Sequence, residues 1–284
     1  MIIQWYPGHM TKARRMMQEN IKLIDIVVEL VDARLPYSSK NPDIDALANG
    51  KYRILLMAKA DMADPAVTTA WEKWYKDKGF YVMAVNARSK SGIRGVNQLI
   101  MEASKEKIER DRRRGIKNRP VRAMITGIPN VGKSTFINSF AGKAAAKTGN
   151  KPGVTRGKQR IRLNQQVEML DTPGLLWPKF EDQSIGLKLA VSGSINDDIL
   201  DSREICHHLI TYLQRKYPQA LAGRYHIEGL EDTEKILEAI ALERGALKSG
   251  AAADIDRACS LLIDDFRSLR MGRLSLEEPD DLVF

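Results

Sequence analysis

Residues 127–135 have the residue types and the spacing that bind phosphate groups. The segment is GIPNVGKST, which matches the phosphate-loop pattern G-x-x-x-x-G-K-S/T. Its glycines let backbone N–H groups crowd around phosphate oxygens, and the start of a helix adds the positive end of its dipole. We expect Lys133 to reach the β- and γ-phosphates of a nucleotide and the Ser134 hydroxyl to bind Mg²⁺. The predicted nucleotide contacts here are Asn130, Val131, Gly132, Lys133, Ser134 and Thr135.

Two candidates downstream of this loop would complete a site for Mg²⁺ and phosphate. The sequence DTPG, residues 171–174, follows an apolar run. The Asp171 carboxylate can hold Mg²⁺ through the water shell of the ion, and the Gly174 N–H can meet the γ-phosphate. Thr155 precedes it in a stretch rich in Lys, Gly and Thr, and we expect this threonine to close on both as part of a mobile loop. The predicted metal ligands are Ser134, Thr155 and Asp171, and the predicted catalytic residues here are Lys133, Thr155 and Gly174.

Two polar segments upstream of the phosphate loop have the groups needed to recognise guanine. Lys59-Ala-Asp61 follows one apolar run, and Asn86-Ala87 follows the next. The Asp61 carboxylate can accept hydrogen bonds from guanine N1–H and the 2-amino group, whereas adenine offers no such pair of donors. The Lys59 stem would lie over the base, and a backbone N–H of Asn86-Ala87 would face guanine O6. GTP and GDP are therefore the expected ligands, and an ATP-driven enzyme is the disfavoured alternative.

These candidate residues follow predicted strands that alternate with runs of helical periodicity. Each predicted strand is a β-rich, mostly apolar run, which is typical of a strand buried in a parallel sheet. Alternating strands and helices predict an α/β fold with a mostly parallel, doubly wound sheet. Residues 142–162 are predicted to form a loop, and residues 95–113 a single helix that ends in a basic linker. The predicted strands are residues 25–32, 52–57, 81–85, 121–125 and 167–170.

The character of the chain changes near residue 180. The residues beyond it have helical periodicity and no convincing buried strand, which predicts a separate helical domain. We therefore expect a P-loop domain over residues 1–178, which begins with an extended arm at residues 2–10, and a helical domain over residues 179–284. No apolar run approaches the roughly 20 residues that cross a membrane, and the two cysteines have no metal-binding spacing. These features predict a cytoplasmic protein with no membrane partner.

The net charge of +9 is unevenly distributed along the chain. Residues 1–180 carry 33 Lys and Arg against 16 Asp and Glu, whereas residues 181–284 carry 12 against 20. A bound nucleotide cannot account for this basic excess, which favours a polyanionic partner such as RNA over a merely solvated basic surface. The cations that the helical domain could offer to RNA are Lys188, Arg203, Arg215, Lys216 and Arg224.

The motifs occur in an unusual order along the chain. The two base-reading segments come first, followed by the phosphate loop, Thr155 and DTPG, whereas ordinary Ras-type GTPases begin with the phosphate loop. The set resembles that of the circularly permuted GTPases. With IQWYPGHMTKARR near the start and GLLWP from Gly174 onward, the chain closely resembles the YlqF/RbgA family of ribosome-assembly GTPases over nearly its full length.

The resemblance implies a partner, an activity and two further site residues. It implies a cytoplasmic GTPase that is monomeric off the ribosome and binds the large ribosomal subunit, its rRNA and ribosomal proteins late in assembly. It also implies that the subunit stimulates hydrolysis and that the helical domain touches rRNA. His9 matches a histidine that is proposed to be catalytic in the family, with a packing role as the alternative. Asn130 matches an asparagine that coordinates K⁺ in relatives, with a simple loop residue as the alternative.

Two positions depart from the expected patterns. Ala58, a predicted nucleotide contact, stands where the family's base-reading motif has Asn. The absence of that asparagine should weaken nucleotide binding, while Asp61 still selects guanine. Leu175 stands where Ras-type enzymes have the glutamine that orients water, so another group, a cation or the ribosome must complete the site. These departures leave open a nucleotide-sensing, rRNA-binding assembly scaffold with negligible hydrolysis. The complete set of predicted Mg²⁺ ligands favours the enzyme, because a scaffold does not need it.

Overall fold

The computed structural model describes residues 5–116, 119–142, 159–227, 229 and 231–282. Within them the chain forms two compact units. The first contains Trp5–Lys179 together with the described residues from Glu277 onward, and the second is Phe180–Leu276. The sequence-based division placed the residues after Leu276 in the helical domain. In the structure they group with the first unit, because Leu282 packs against the core of that unit.

The first unit is built on one sheet. Its strands are β1 Ile26–Asp32, β2 Tyr52–Ala58, β3 Tyr81–Val85, β4 Val121–Gly127, β5 Gln159–Arg162 and β6 Val167–Asp171. Their order across the sheet is β3-β2-β1-β4-β6-β5. Neighbouring strands are parallel except for β5, which is antiparallel to β6. The predicted α/β fold with a mostly parallel sheet is confirmed.

Strand β1 lies in the middle of this sheet and is buried along its whole length. It pairs with β2 on one side and with β4 on the other. A strand that is covered on both faces needs apolar residues at nearly every position, which explains the run of Ile, Val and Leu. The two acidic residues of β1, Glu29 and Asp32, are buried as well, and each is paired with arginine.

Helices connect the parallel strands of this unit. Asn41 accepts a hydrogen bond from the Asp43 N–H (2.9 Å) at the first crossover, and Asp64 accepts one from the Ala66 N–H (2.9 Å) at the next. Each of these caps is followed by a proline at the first helical position, a combination that starts a helix. The helices are α1 Gly8–Asn20, α2 Pro42–Leu47, α3 Pro65–Asp77, α4 Ile93–Ala103, α5 Lys105–Arg113 and α6 Lys133–Ala141.

Several local predictions differ from the structure. The helix predicted over residues 95–113 is two helices, since the backbone leaves the helical region at Ser104 (φ −98°, ψ 8°). The basic end of α5 is not a linker between domains, because the β4 strand that follows it pairs with β1. The loop predicted over residues 142–162 ends in β5, an edge strand that pairs antiparallel with β6 and whose four residues, QRIR, have only one apolar member. Helix α1 begins at Gly8, which shortens the predicted extended arm.

Two of the largest fully buried side chains of the first unit come from α3. Trp71 and Tyr75 are buried and share one cluster with Val31 of β1 and Leu55 of β2. Their spacing on α3 places both rings on the face that packs against the sheet. Leu282 packs on the same cluster. The last described residue of the chain is therefore in contact with this core.

The second unit, Phe180–Leu276, contains no strand among its described residues. Its helices are α7 Gln183–Val191, α8 Ser202–Lys216, α9 Pro218–Tyr225, α10 Thr233–Glu243 and α11 Ile255–Arg267. Cys206 on α8 and Cys259 on α11 are buried free thiols, and the Cys206 Sγ donates to the Cys259 carbonyl (3.5 Å). No helix in the described part of the chain is long and apolar enough to cross a membrane.

A buried carboxylate ties α9 to α11. Asp265 accepts hydrogen bonds from Arg224 (2.6 and 3.1 Å), the Tyr225 hydroxyl (2.9 Å) and Arg270 (2.9 Å). Burial acts against its charge, but these donors hold the pKa of Asp265 below its usual value. Arg224, one of the cations that we expected to be available to RNA, is therefore engaged inside the unit.

Asp265→Asn should lower the free energy of unfolding of the helical unit by about 2 kcal/mol, because it removes the buried charge that accepts hydrogen bonds from Arg224, Tyr225 and Arg270. Hydrogen exchange of the α11 amides would measure the loss. The wild-type contribution is present above the unfolded pKa and is lost as the pH falls through the lower folded pKa. Exposed Asp264→Asn is the matched control, with an expected change of about 0.5 kcal/mol or less. Equal exchange in both variants would contradict the assignment.

Candidate nucleotide-binding site

The predicted site residues meet at one edge of the sheet. Lys59 follows β2, Asn86 follows β3, the phosphate loop follows β4, and Asp171 ends β6. Because these strands are parallel, their carboxyl ends lie at the same edge. Ligands of open α/β sheets bind at this edge. The fold thus brings together groups that are far apart along the chain.

The phosphate loop turns sharply after β4 and runs into α6. Asn130 and Gly132 have φ angles of 55° and 104°, both in the left-handed region, and Val131 between them is buried. Such a turn directs successive backbone N–H groups toward the concave side of a loop. Ser134 and Thr135 lie in the first turn of α6, where a helix has N–H groups without helical acceptors. The segment therefore has the backbone form of an anion-binding loop.

Lys133 is buried and points back into this loop. Its Nζ donates to the carbonyl oxygens of Gly127 (3.0 Å) and Ile128 (2.7 Å). Burial lowers the pKa of Lys133 to about 8, although the charge of Asp171 opposes the shift. Burial raises the pKa of Asp171 to about 6, against the charge of Lys133 and the hydrogen bond from the Thr172 N–H. Both groups are thus held where their charged forms are disfavoured, which is typical of functional sites.

The segment that follows β6 lies directly on the phosphate loop. A Cβ atom on Gly174 would be 2.8 Å from the backbone N and Cα of Pro129, so this approach requires glycine. The next residue, Leu175, donates its N–H to the Gly127 carbonyl (3.2 Å). The Leu175 carbonyl accepts a hydrogen bond from the Asn41 side chain (3.0 Å). These contacts hold Gly174 beside the loop.

A buried charge cluster fixes Lys59 on the side of the sheet edge that is predicted to recognise the base. The Lys59 Nζ donates to one Asp32 oxygen (2.9 Å), and Arg34 donates to both (2.9 and 2.7 Å). Burial acts against the Asp32 charge, but the Arg34 and Lys59 cations hold the pKa of this carboxyl well below its usual value. The Lys59 pKa is lowered, because burial outweighs the attraction to Asp32. Sequence analysis missed Asp32 and Arg34; the available signal was an acidic residue at the end of a buried strand.

The other base-side candidates lie on two neighbouring loops. Ala58 ends β2 and is 4% exposed, while Asp61 and Ala87 are half-buried. The Asn86 Oδ1 accepts hydrogen bonds from two backbone N–H groups of its own loop (2.9 and 3.2 Å), which shapes the turn that carries Ala87. The Ala60 N–H donates to the carbonyl at the end of β3 (3.3 Å) and so joins the two loops.

Two predicted catalytic residues stay predictions. His9 lies in the first turn of α1, is exposed, and packs edge-on to Trp5 with 6.3 Å between ring centroids. Among the described residues it makes no hydrogen bond or ion pair, so none joins it to the phosphate loop. Thr155 lies outside the described residues.

Known proteins are similar to this chain in sequence and in fold. A family described as 50S ribosome-binding GTPase (MMR_HSR1) matches residues 122–240. The ribosome biogenesis GTPase A of Priestia megaterium is 45% identical over 283 residues, which cover 99% of this chain and 98% of the relative. The chain belongs to the ribosome biogenesis GTPase A (YlqF/RbgA) family. The member from Thermotoga maritima is 31% identical over 99% of this chain and 96% of its own length.

Two solved structures extend the family relationship to the fold. The crystal structure of GNP-bound YlqF from T. maritima has a TM-score of 0.67 at 27% identity and covers 95% of this chain and 100% of its own. A GDP-bound structure of YlqF has the same TM-score and covers 93% of this chain. The base-side strands β2 and β3 precede the phosphate loop in sequence yet lie in the same sheet. The predicted circularly permuted GTPase fold of this family member is confirmed.

The Asp171 charge should cost stability in the nucleotide-free protein. Its folded pKa of about 6 lies above the reference value of 3.8, so its favourable contribution is complete at low pH and is lost as the pH rises through about 6. Nucleotide-free Asp171→Asn should therefore be more stable than the wild type by on the order of 2 kcal/mol near neutral pH, and the difference should shrink toward about pH 5.

Urea unfolding followed by tryptophan fluorescence would measure this difference, since all four tryptophans lie in the sheet-containing unit. Asp77→Asn, at an exposed carboxylate of the same unit, is the matched control and should show no such pH dependence. An Asp171→Asn variant that is less stable than the wild type at neutral pH would contradict the prediction.

Proposed function

We propose that this GTPase binds and hydrolyses GTP at the sheet edge described above and acts in late assembly of the large ribosomal subunit, which stimulates the hydrolysis. Membership of the ribosome biogenesis GTPase A family supports the enzyme class and the process. The observation that carries the proposal is the meeting of the phosphate loop, Asp171 and the Lys59–Asp32 pair at one edge. A phosphate cradle, a carboxylate for Mg²⁺ and a base-recognition side are the parts that a GTPase site needs.

The base is proposed to lie at the ends of β2 and β3. Asp61 accepts hydrogen bonds from guanine N1–H and the 2-amino group, and Asn86-Ala87 presents a backbone N–H to O6. Lys59 covers the base with its stem, and its ammonium stays fixed on Asp32 (2.9 Å). This pairing supports the proposal, because a lysine held in place loses less conformational entropy when the base binds.

Mg²⁺ fits the residues on the phosphate side. Asp171 is 1% exposed, and among the described residues its Oδ1 has no hydrogen-bond partner, so a buried carboxylate oxygen remains for a hydrated cation. We assign Ser134, Thr155 and Asp171 to this ion, which when bound neutralises charge on the β- and γ-phosphates. Asn130 is proposed to hold K⁺, because it matches an asparagine of cation-dependent relatives.

Hydrolysis needs a group that orients the attacking water, and Leu175 is unsuited to this task. Its side chain is apolar and fully buried. We propose that His9 takes this role, while Lys133 and the Gly174 N–H stabilise charge on the γ-phosphate and Thr155 closes over it. The exposed position of His9 at the start of α1 fits a group that the ribosomal subunit brings into place.

The ribosomal partner is supported by exposed arginines on the sheet-containing unit. Arg112, Arg113 and Arg114 are exposed at the end of α5, and Arg160 and Arg162 are exposed on β5. Phosphate contacts from such residues give affinity and salt sensitivity without reading sequence. We propose that these two groups contact rRNA and that the helical unit adds local contacts of its own.

GTP turnover with and without purified large ribosomal subunits tests the proposal, in K⁺ buffer and again in Na⁺ buffer. We expect slow turnover by the protein alone and strong stimulation by the subunits, because the site lacks a water-orienting residue next to Gly174. Loss of turnover in Na⁺ would support K⁺ at Asn130. Bound GTP with no turnover under any condition would contradict the enzyme and favour the alternative, a nucleotide-sensing assembly scaffold.

Ala58→Asn should strengthen the binding of GTP and GDP roughly five-fold or more, because an asparagine can hydrogen-bond the base edge and the phosphate loop at a buried position. Titration with fluorescent nucleotides would measure the gain. Ala66→Asn, an exposed position of the same unit, is the matched control and should bind like the wild type. Equal affinities for Ala58→Asn and the wild type would refute this interpretation of Ala58.

A further inference from the structure

Glu277 is a buried carboxylate in the sheet-containing unit, although it follows the helical unit in sequence. Its Oε1 accepts the backbone N–H groups of Tyr37 (2.6 Å) and Ser38 (2.9 Å), and its Oε2 accepts the Ser38 hydroxyl. Its backbone carbonyl accepts the indole N–H of Trp71 (3.1 Å). A carboxylate is buried at low cost only where donors surround it, so these contacts fix the Tyr37–Ser38 backbone to the C-terminal segment.

The backbone that Glu277 holds belongs to residues 33–41, the loop between β1 and α2. The beginning of this loop serves the base side of the site. Arg34 donates to both oxygens of Asp32, the carboxylate that also accepts from Lys59. A shift of the loop would therefore move the arginine that helps to hold the Lys59–Asp32 pair.

The end of the same loop serves the phosphate side. Asn41 donates its side-chain N–H to the Leu175 carbonyl (3.0 Å) and its backbone N–H to buried Glu29 (3.0 Å). Leu175 follows Gly174 and donates to the Gly127 carbonyl of the phosphate loop (3.2 Å). One loop thus contacts both the base-side charge cluster and the segment proposed to meet the γ-phosphate.

We propose that Glu277 is a positioning residue for nucleotide binding. From the C-terminal segment it holds the middle of residues 33–41, and the two ends of that loop hold Arg34 on Asp32 and Asn41 on Leu175. The inference rests on the proposed function, since it requires that the nucleotide occupies this edge of the sheet. Glu277 itself makes no contact with the nucleotide in this scheme; it acts through the loop.

The chemistry of the contacts predicts how substitutions rank. Glu277→Ala removes all three side-chain acceptor contacts, so the loop loses its anchor. Glu277→Gln keeps one carbonyl oxygen for the two backbone N–H groups, and the Ser38 hydroxyl can rotate to accept from the amide. We therefore expect Glu277→Ala to weaken binding of both GDP and a non-hydrolysable GTP analogue about 10-fold, and Glu277→Gln to stay within about 3-fold of the wild type.

The test is a titration of the full-length variants with fluorescent GDP and GTP analogue, at a temperature where circular dichroism shows each variant folded. Asp280→Ala, an exposed residue of the same segment, is the matched control. Asn41→Ser keeps an oxygen that caps α2, but the serine side chain is too short to reach the Leu175 carbonyl. This variant should therefore weaken the binding of the GTP analogue more than the binding of GDP. If Glu277→Ala does not fold, Ser38→Ala takes its place, with a smaller loss expected for both nucleotides.

The outcomes separate a positioning role from a purely structural one. Weakened binding by folded Glu277→Ala, with recovery in Glu277→Gln, would support the proposal. Wild-type affinity in folded Glu277→Ala, or in Ser38→Ala where it replaces that variant, would overturn the proposal and leave the proposed function standing. A wild-type protein that binds neither nucleotide would overturn the proposed function and this inference with it.

Discussion

The nucleotide site depends on the parallel pairing of β1 with β2 on one side and with β4 on the other. This pairing joins the base-side strands to the phosphate-side strands in one sheet, so that their carboxyl ends share an edge. The order of the strands along the chain does not matter for this result, because the sheet is held by lateral hydrogen bonds and burial. A permuted chain can therefore build the same site, and here the base side is synthesised before the phosphate loop.

Two buried aspartates at strand ends show how the surroundings set the charge of a carboxyl group. Asp32 is paired with two cations, which keep its pKa far below the usual value in spite of burial. Burial raises the pKa of Asp171 to about 6, because among the described residues the charge of Lys133 and one backbone N–H are too weak to offset it. The first carboxylate is satisfied by the protein and serves to hold Lys59. The second lacks such satisfaction, which suits a residue that receives a cation.

The helical unit is connected at both ends to segments that contact residues 33–41. The chain enters it after the segment that begins with Leu175, whose carbonyl accepts from Asn41. It leaves at Glu277, whose carboxylate accepts from Tyr37 and Ser38. One loop of the GTPase unit thus contacts both connections, as well as the Lys59–Asp32 pair through Arg34.

The sequence by itself determined five of the six described strands, the permuted order of the motifs and the candidates Lys59, Lys133 and Asp171. These features are local: glycine spacing, apolar runs and a polar residue after each run are all visible within a few neighbouring residues. Only the tertiary structure decided that β5 is an edge strand, that Arg34 and Asp32 hold Lys59, and that Glu277 belongs to the sheet-containing unit. The pairing of Lys59 with Asp32 joins residues 27 positions apart, and that of Ser38 with Glu277 joins residues 239 positions apart, so a local pattern does not reveal either one. Strand β5 is close to its partner β6, but its sequence, QRIR, lacks the apolar run that marked the other strands.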